Sequence, residues 1–260
     1  MTTPQDLSGA VVLVTGAGGG LGGAICAAAR DARAVVVGTD LGDPPSFVET
    51  DAWLPHDVTS MDAWIRVISE IRSQFGRLDC LVNNAGISLS ETIANTSLDQ
   101  WRRVLSVNLE SVFLSMKAAL PLLLESGRTR SGGSSVVNLS STAGLRGSPF
   151  SAAYGASKGA VSLLTKTAAK EFGALGYPIR VNSVHPGAVE TAMLQTIMQR
   201  QVDAGFARSA EELKASWSNI SALKRLGQPR EIAGGVVFLC SSAASFVTGA
   251  ELVIDGGALA

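Results

Sequence analysis

Histidine is almost missing from this chain of 260 residues: His56 and His185 stand far apart, and a metal site is not expected from them. Cysteine is scarce and odd in number. Cys26, Cys80 and Cys240 each adjoin apolar sequence, which reads as buried free thiols in a reducing compartment rather than a disulfide framework. An excess of either charge is lacking too, with 21 Lys+Arg against 22 Asp+Glu and a net charge of −1. Nothing basic is left over to grip a nucleic-acid backbone or a membrane surface. No uninterrupted apolar run approaches the roughly 20 residues of a membrane span. The opening MTTPQDLSGAVVLVTG shows no charged segment leading into an apolar one and a cleavage site, so the expected location is cytoplasmic. Tandem repeats, low-complexity blocks and linkers are absent as well, which leaves 1–260 as a single domain.

What the chain does have is apolar material, 46% of its residues, and a recurring order. Short Val- and Leu-rich runs at 11–15, 34–38, 80–83, 135–139, 179–182 and 252–254, with a weaker one at 52–54, read as strands. Between them lie helical patterns at 20–30 and 61–75, a long one with Trp101, Leu105, Val112 and Met116 on its apolar positions, and one through 154–158. Buried strands alternating with helices imply an α/β fold, a doubly wound, Rossmann-type parallel sheet covered on both faces. Such a sheet binds ligands beyond the C-terminal ends of its strands.

The first strand ends in TGAGGGLGG. Read from Gly16, a GxGxxG fingerprint fails at Leu21; it fits only from Gly18 through Gly20 and Gly23, two residues late. TGxxxGxG fits in place through Thr15, Gly16, Gly20 and Gly22, and it meets the same needs: a tight turn, close backbone approach to a pyrophosphate, and helix packed tightly on strand. Asp40 ends the second strand, where a carboxylate accepts hydrogen bonds from ribose hydroxyls and repels a 2′-phosphate. No Arg or Lys lies in 15–23 or 35–56 to offset that repulsion, so the expected cofactor is NAD rather than NADP. Asp57, and the run Asn83-Asn84-Ala85-Gly86, fall at the ends of the third and fourth strands.

The stretch SAAYGASKG holds Tyr154, one of two tyrosines, four positions before Lys158. On a helix the two share a face, and the ammonium would lower the phenol's pKa toward neutral pH for proton exchange. Alone, such a pair occurs by chance in many proteins and reads better as a surface helix with a lysine passing a ring.

Together, TGAGGGLG, NNAG, Asn108 in SVNLES, Ser141 in VVNLSS, Tyr154/Lys158 and VHPGAVET occur in an order and spacing that resembles the short-chain dehydrogenase/reductase family, from about Leu7 to Gly257. IRVNSVHPG and ASFVTGAELVIDGG look most like NAD-dependent secondary-alcohol, cyclic-alcohol and hydroxysteroid dehydrogenases. The resemblance implies that Tyr154 is the catalytic acid/base, that Lys158 lowers its pKa and holds the nicotinamide ribose, and that Ser141 hydrogen-bonds the reacting oxygen. Ser140 is the neighbouring alternative, but the thirteen residues from Ser141 to Tyr154 fit better. Asn108 would hold a water in a proton relay. Gly16, Gly19, Gly20, Leu21, Asp40, Leu41, Asp57, Val58, Asn84, Ala85 and Gly86 are implied cofactor contacts. Pro186, Gly187, Val189 and Thr191 would clamp the nicotinamide. His185 is read as structural. The family also implies a homotetramer, built on the long helix and the Tyr154 helix.

Two features depart from the pattern or stay open. Only seventeen positions separate Asp40 from Asp57, with Pro44 and Pro45 between, so the helix usually joining those strands is expected to be lost or reduced to a turn. Residues 192–226, with Met193, Leu194, Ile197, Met198, Phe206 and Trp217, read equally as a substrate lid or as ordinary amphipathic core. Leu89, Ser90, Ala143 and Leu145 are expected to face the same cleft. Alternatives to a secondary-alcohol dehydrogenase are a 3-oxoacyl thioester reductase, a cis-dihydrodiol dehydrogenase and a non-catalytic NAD-binding protein.

Overall fold

The computed structural model describes residues 5–260. Seven strands, β1 (Val11–Thr15), β2 (Val35–Asp40), β3 (Ala52–Pro55), β4 (Cys80–Asn83), β5 (Ser134–Leu139), β6 (Ile179–Pro186) and β7 (Glu251–Ile254), form one sheet. The order is β3-β2-β1-β4-β5-β6-β7 and every pairing is parallel. Around it pack α1 (Gly20–Asp31), α2 (Met61–Phe75), α3 (Leu98–Leu105), α4 (Ser111–Thr129), α5 (Ala152–Ala174), α6 (Ala192–Asp203), α7 (Ala210–Ile220) and α8 (Pro229–Cys240).

Successive residues of a strand point to opposite faces, and both faces here are dry. Val12 and Val14 pack with Ile25 and Ala29 of α1 and with Ile232 and Val236 of α8. Val11 and Leu13 join Trp64 and Ile71 of α2, Leu122 of α4 and Val161 of α5 on the other side. Burial on both faces explains why the strands read as continuous apolar runs. All three cysteines are buried and free.

The chain steps from the β3 edge back to β4 beside β1, so strand order reverses between β1 and β4. That reversal opens a crevice above their C-terminal ends.

Three local findings refine the sequence reading. The segment 41–51 carries no helix, as its prolines require. In its place Val48 and Phe47 lie on Gly23 of α1, where an added Cβ would meet them at 3.2 and 3.3 Å. Second, α3 and α4 are one rod interrupted by a π-turn over Ser106–Glu110. A π-turn inserts an extra residue and rotates the buried face. Val104, Val112 and Met116 are therefore buried, while the expected Trp101 and Leu105 are only half-buried. The rod Leu98–Thr129 is long and apolar enough to cross a membrane by length and composition, yet here it packs against α2 and the sheet. Third, β6 extends beyond the predicted 179–182 and takes His185 and Pro186 into register with Val253 and Ile254 of β7.

Candidate active site

The crevice is held open by side chains at the ends of β1 and β4. Thr15 Oγ1 accepts the backbone N–H groups of Asn84 and Ala85, both at 3.1 Å. Asn84 Nδ2 donates back to the carbonyls of Thr15 and Gly16 at 2.9 and 3.1 Å. Gly16 turns the chain at φ 63°, and a Cβ there would lie 2.8 Å from Ala85 Cα. Gly22 sits so close beneath that its Cβ would come 2.1 Å from the Gly16 carbonyl oxygen. Among the described residues no side chain caps the N-terminus of α1, which leaves first-turn N–H groups for an anion.

Asp40 faces this turn, accepting the Gly18 N–H at 3.0 Å and the Leu41 N–H at 2.8 Å. Asp57 is tied to Thr59, whose hydroxyl and N–H hold its carboxyl below the usual range. Above the strand ends lies a cavity of about 1060 Å³. Every predicted cofactor contact lines it, from Gly16 and Gly19 through Asp40, Val58 and Gly86 to Pro186 and Thr191. A glycine cradle under an uncapped helix, with a carboxylate at the next strand end, suits a dinucleotide.

Ser141, Tyr154 and Lys158 line the same cavity beyond β5. Lys158 is buried, its Nζ donates to the Leu139 carbonyl at 2.7 Å, and it lies 5.8 Å from the Tyr154 ring centroid. Burial pushes its pKa down to about 8. The Tyr154 phenol moves the other way. Burial raises it, with only the Ser141 hydroxyl pulling it down, so the lowering expected from Lys158 is not found in the protein alone. The low-dielectric wall disfavours the phenolate, and the Ser141 hydroxyl offsets this only in part.

Ser140 and Ser141 separate cleanly. Ser140 Oγ is committed to the Lys158 carbonyl at 2.8 Å and to Ser162 Oγ at 3.1 Å. Ser141 Oγ accepts the Ala143 N–H at 3.1 Å and otherwise faces the Tyr154 phenol. His185 is buried: Nε2 meets Ser183 Oγ at 2.8 Å and Nδ1 meets the Ser141 carbonyl at 3.2 Å, so the ring braces Ser141 as a structural residue. Asn108 does not line the cavity. Its Oδ1 accepts the Ile87 N–H at 2.8 Å, and its Nδ2 donates to the Ile87 carbonyl and Ser157 Oγ.

Residues 16–258 match the family model described as enoyl-(acyl carrier protein) reductase. The chain is 34% identical over 259 residues to an NADP-dependent (R)-specific alcohol dehydrogenase of Lentilactobacillus kefiri, covering 96% of this chain and 97% of that protein. It is 37% identical to a cyclopentanol dehydrogenase of Comamonas testosteroni, over 95% and 96% of the two chains. It is 36% identical to a 3-alpha-(or 20-beta)-hydroxysteroid dehydrogenase of Mycobacterium tuberculosis, over 98% and 91%. The chain belongs to the short-chain dehydrogenase/reductase family. Ligand-free aldohexose dehydrogenase of Thermoplasma acidophilum superposes with a TM-score of 0.88 at 33% identity, over 99% of this chain and 96% of that one.

Like other short-chain dehydrogenases/reductases, this one is a nicotinamide-cofactor oxidoreductase with a variable substrate end. Of the predicted lid residues, Met193, Leu194, Ile197, Phe206 and Trp217 line the cavity, whereas Met198 is packed away in the interior. Leu89, Ser90 and Ala143 line it too; Leu145 does not, because it turns out toward solvent. Sequence reasoning missed Arg103, Arg146, Phe150 and Ala258. Phe150 stands at φ 61° and stacks on Phe206, ring centroids 3.8 Å apart. A left-handed phenylalanine has no sequence signature.

Proposed function

We propose that the protein is an NAD-dependent oxidoreductase that interconverts a secondary alcohol, cyclic or otherwise hydrophobic, and its ketone. The observation that carries this reading is the convergence of Tyr154, Ser141 and Lys158 on one cavity whose other end suits a dinucleotide. A bound nicotinamide supplies the hydride acceptor or donor. Tyr154 would move the proton at the substrate oxygen, as acid in ketone reduction and as base in alcohol oxidation. Ser141 Oγ, which accepts the Ala143 N–H and lies by the Tyr154 phenol, would donate to that oxygen as charge develops on it. Lys158 Nζ would hold the ribose and favour the phenolate. Asn108 fixes Ile87 and lies beside Gly86, and we carry over to it the relay role that the family resemblance implies.

Asp40 supports NAD over NADP. Among the described residues lining the cavity the basic ones are Arg103, Arg146, Lys158 and Arg225, and none belongs to the β1, β2 or β3 ends where a 2′-phosphate would lie. Aromatic and aliphatic residues at the substrate end, Phe150, Phe206 and Trp217 among them, support a hydrophobic substrate.

The test is a panel of secondary and cyclic alcohols, each assayed with NAD and with NADP by absorbance of the reduced nicotinamide. Turnover of cyclic secondary alcohols with NAD is expected. Activity only on 3-oxoacyl thioesters with NADPH would overturn the reading.

A further inference from the structure

Two phenylalanines from separate segments of the cavity wall meet face to face. Phe150 ends the loop that runs from Ser141 to α5, and Phe206 follows α6 in the lid; both line the cavity. Their rings are parallel to within 2° and their centroids are 3.8 Å apart. Each is only half-buried, so the contact stands outside the packed core.

The backbone on both sides is shaped to present these rings. After α6 the chain turns at Gly205, φ 73°, and the Phe206 N–H closes that turn on the Gln201 carbonyl at 2.8 Å. Phe150 stands in the left-handed region, where an L-phenylalanine persists only if its surroundings hold it. Its carbonyl accepts the Glu91 N–H at 2.9 Å, and Ser151 is bridged to Glu91. The segment leaving β4 therefore fixes Phe150, and Phe150 meets the lid. A longer tie joins the lid to that same segment, Arg200 of α6 donating to the Ser88 carbonyl at 3.5 Å. Three stretches far apart in sequence, 88–91, 150–151 and 200–206, are thus linked to one another, and each contributes residues to the cavity wall.

Resting on the alcohol-dehydrogenase reading above, we infer that Phe150 and Phe206 determine substrate size: stacked, they latch the lid, which favours an alcohol compact enough to lie beneath the shut pair over one that holds the rings apart. Neither ring carries a group that the chemistry uses, so both act by positioning the lid. A shut lid keeps water from the transfers at Tyr154. A bulky alcohol forgoes the stack, and losing one aromatic pair shifts a closing equilibrium by about two- to tenfold.

Two measurements decide it. Phe206→Ala removes one ring. Phe150→Gly removes the other and takes a positive φ freely, so the loop gains no strain. First, amide hydrogen exchange across α6 and α7 is followed without substrate, with exchange in β1 and β5 as the control for an intact fold. Each single variant should speed lid exchange about two- to tenfold, and the double variant should add little, because either loss already opens the latch. Lid exchange unchanged in Phe150→Gly, or effects that multiply in the double variant, would overturn the proposal. Second, kcat/KM with NAD is measured for cyclohexanol and for 4-tert-butylcyclohexanol. The ratio of the compact to the bulky alcohol should fall about two- to tenfold in each variant, through a higher KM for cyclohexanol. A ratio that holds in all three variants refutes the role in selection. If no alcohol turns over, the reaction reading falls, and the exchange result still decides whether the rings latch the lid.

Discussion

Thr15 and Asn84 clasp each other across the point where strand order reverses: the threonine hydroxyl accepts two N–H groups from the β4 end, and the Asn84 amide donates to two carbonyls at the β1 end. Each residue bonds backbone groups at the end of the other's strand, the Asn84 N–H and the Gly16 carbonyl sharing these bonds with Val82 and Gly19.

Thr15→Val keeps the shape and removes the hydroxyl. It leaves the Ala85 N–H without its acceptor and takes from the Asn84 N–H one of its two, the other being the Val82 carbonyl, and an unsatisfied buried group costs about 1–3 kcal/mol. Denaturant unfolding should show a loss of about 2 kcal/mol, and the Kd for NADH should rise, since Gly16 and Ala85 lose their alignment. An unchanged midpoint and Kd would show that the clasp carries no load.

Tyr154→Phe keeps the ring and deletes the hydroxyl. Turnover should fall about 10⁴-fold, the upper end of the range for a general acid–base group, while NADH still binds. Lys158→Met should weaken both. Because burial raises the phenol, Tyr154 in the protein alone should ionise only above its ordinary value of about 10. The parent-minus-variant ultraviolet titration reads this directly, and alcohol oxidation should climb with pH as the phenolate forms.

Cofactor choice is the third expectation. NAD should exceed NADP by at least about tenfold in kcat/KM, roughly 1.4 kcal/mol. Asp40→Ser combined with Leu41→Arg removes the carboxylate from the β2 end and adds a cation on an exposed position, so it should shift preference toward NADP. Equal turnover of the parent with both cofactors sinks the idea.

Much of this could be read from the sequence because parallel strands buried on both faces leave plain apolar runs, and because glycines and carboxylates at strand ends have few other uses. Ser141 was preferred to Ser140 on the spacing that the family resemblance implies, and in the structure Ser140 Oγ is engaged by the Lys158 carbonyl and Ser162. The π-turn at Ser106–Glu110 was not readable: it changes which residues face inward without changing the residue types. Phe150, Arg103 and Arg146 escaped for a similar reason, since a cavity wall assembled from a loop and a distant helix has no periodicity.

His56 gives the fold a pH limit. Its ring is buried against Trp64 at 4.2 Å, Nδ1 meets Thr39 Oγ1, Nε2 has no partner, and burial pushes its pKa down to about 4. Unfolded, the same histidine titrates near 6.5, so between pH 6.5 and about 4 the unfolded chain holds the extra proton. Stability contributed by His56 is complete above pH 6.5 and is lost as pH falls toward 4, by about 3 kcal/mol in all. His56→Gln should flatten that part of the stability–pH curve. A parallel curve would rule His56 out.

Assembly as a homotetramer is expected from the outer faces of α4 and α5, where Phe113 and Leu163 are 52% and 66% exposed. Light scattering at micromolar concentration should give about four times the 26.8 kDa chain, and Leu163→Glu should lower it. A monomeric mass for the parent would refute it.

The segment 41–51 that replaces a helix also sets a timetable. Pairing β2 with β3 closes only this short loop, whereas pairing β1 with β4 must wait for everything from α1 to α2 to be gathered in. Closure entropy grows with the length enclosed, and local pairings form sooner. One edge of the sheet is therefore the stretch the chain can knit first, and Trp53, whose indole N–H reaches the Gly42 carbonyl across that loop, is placed to register it.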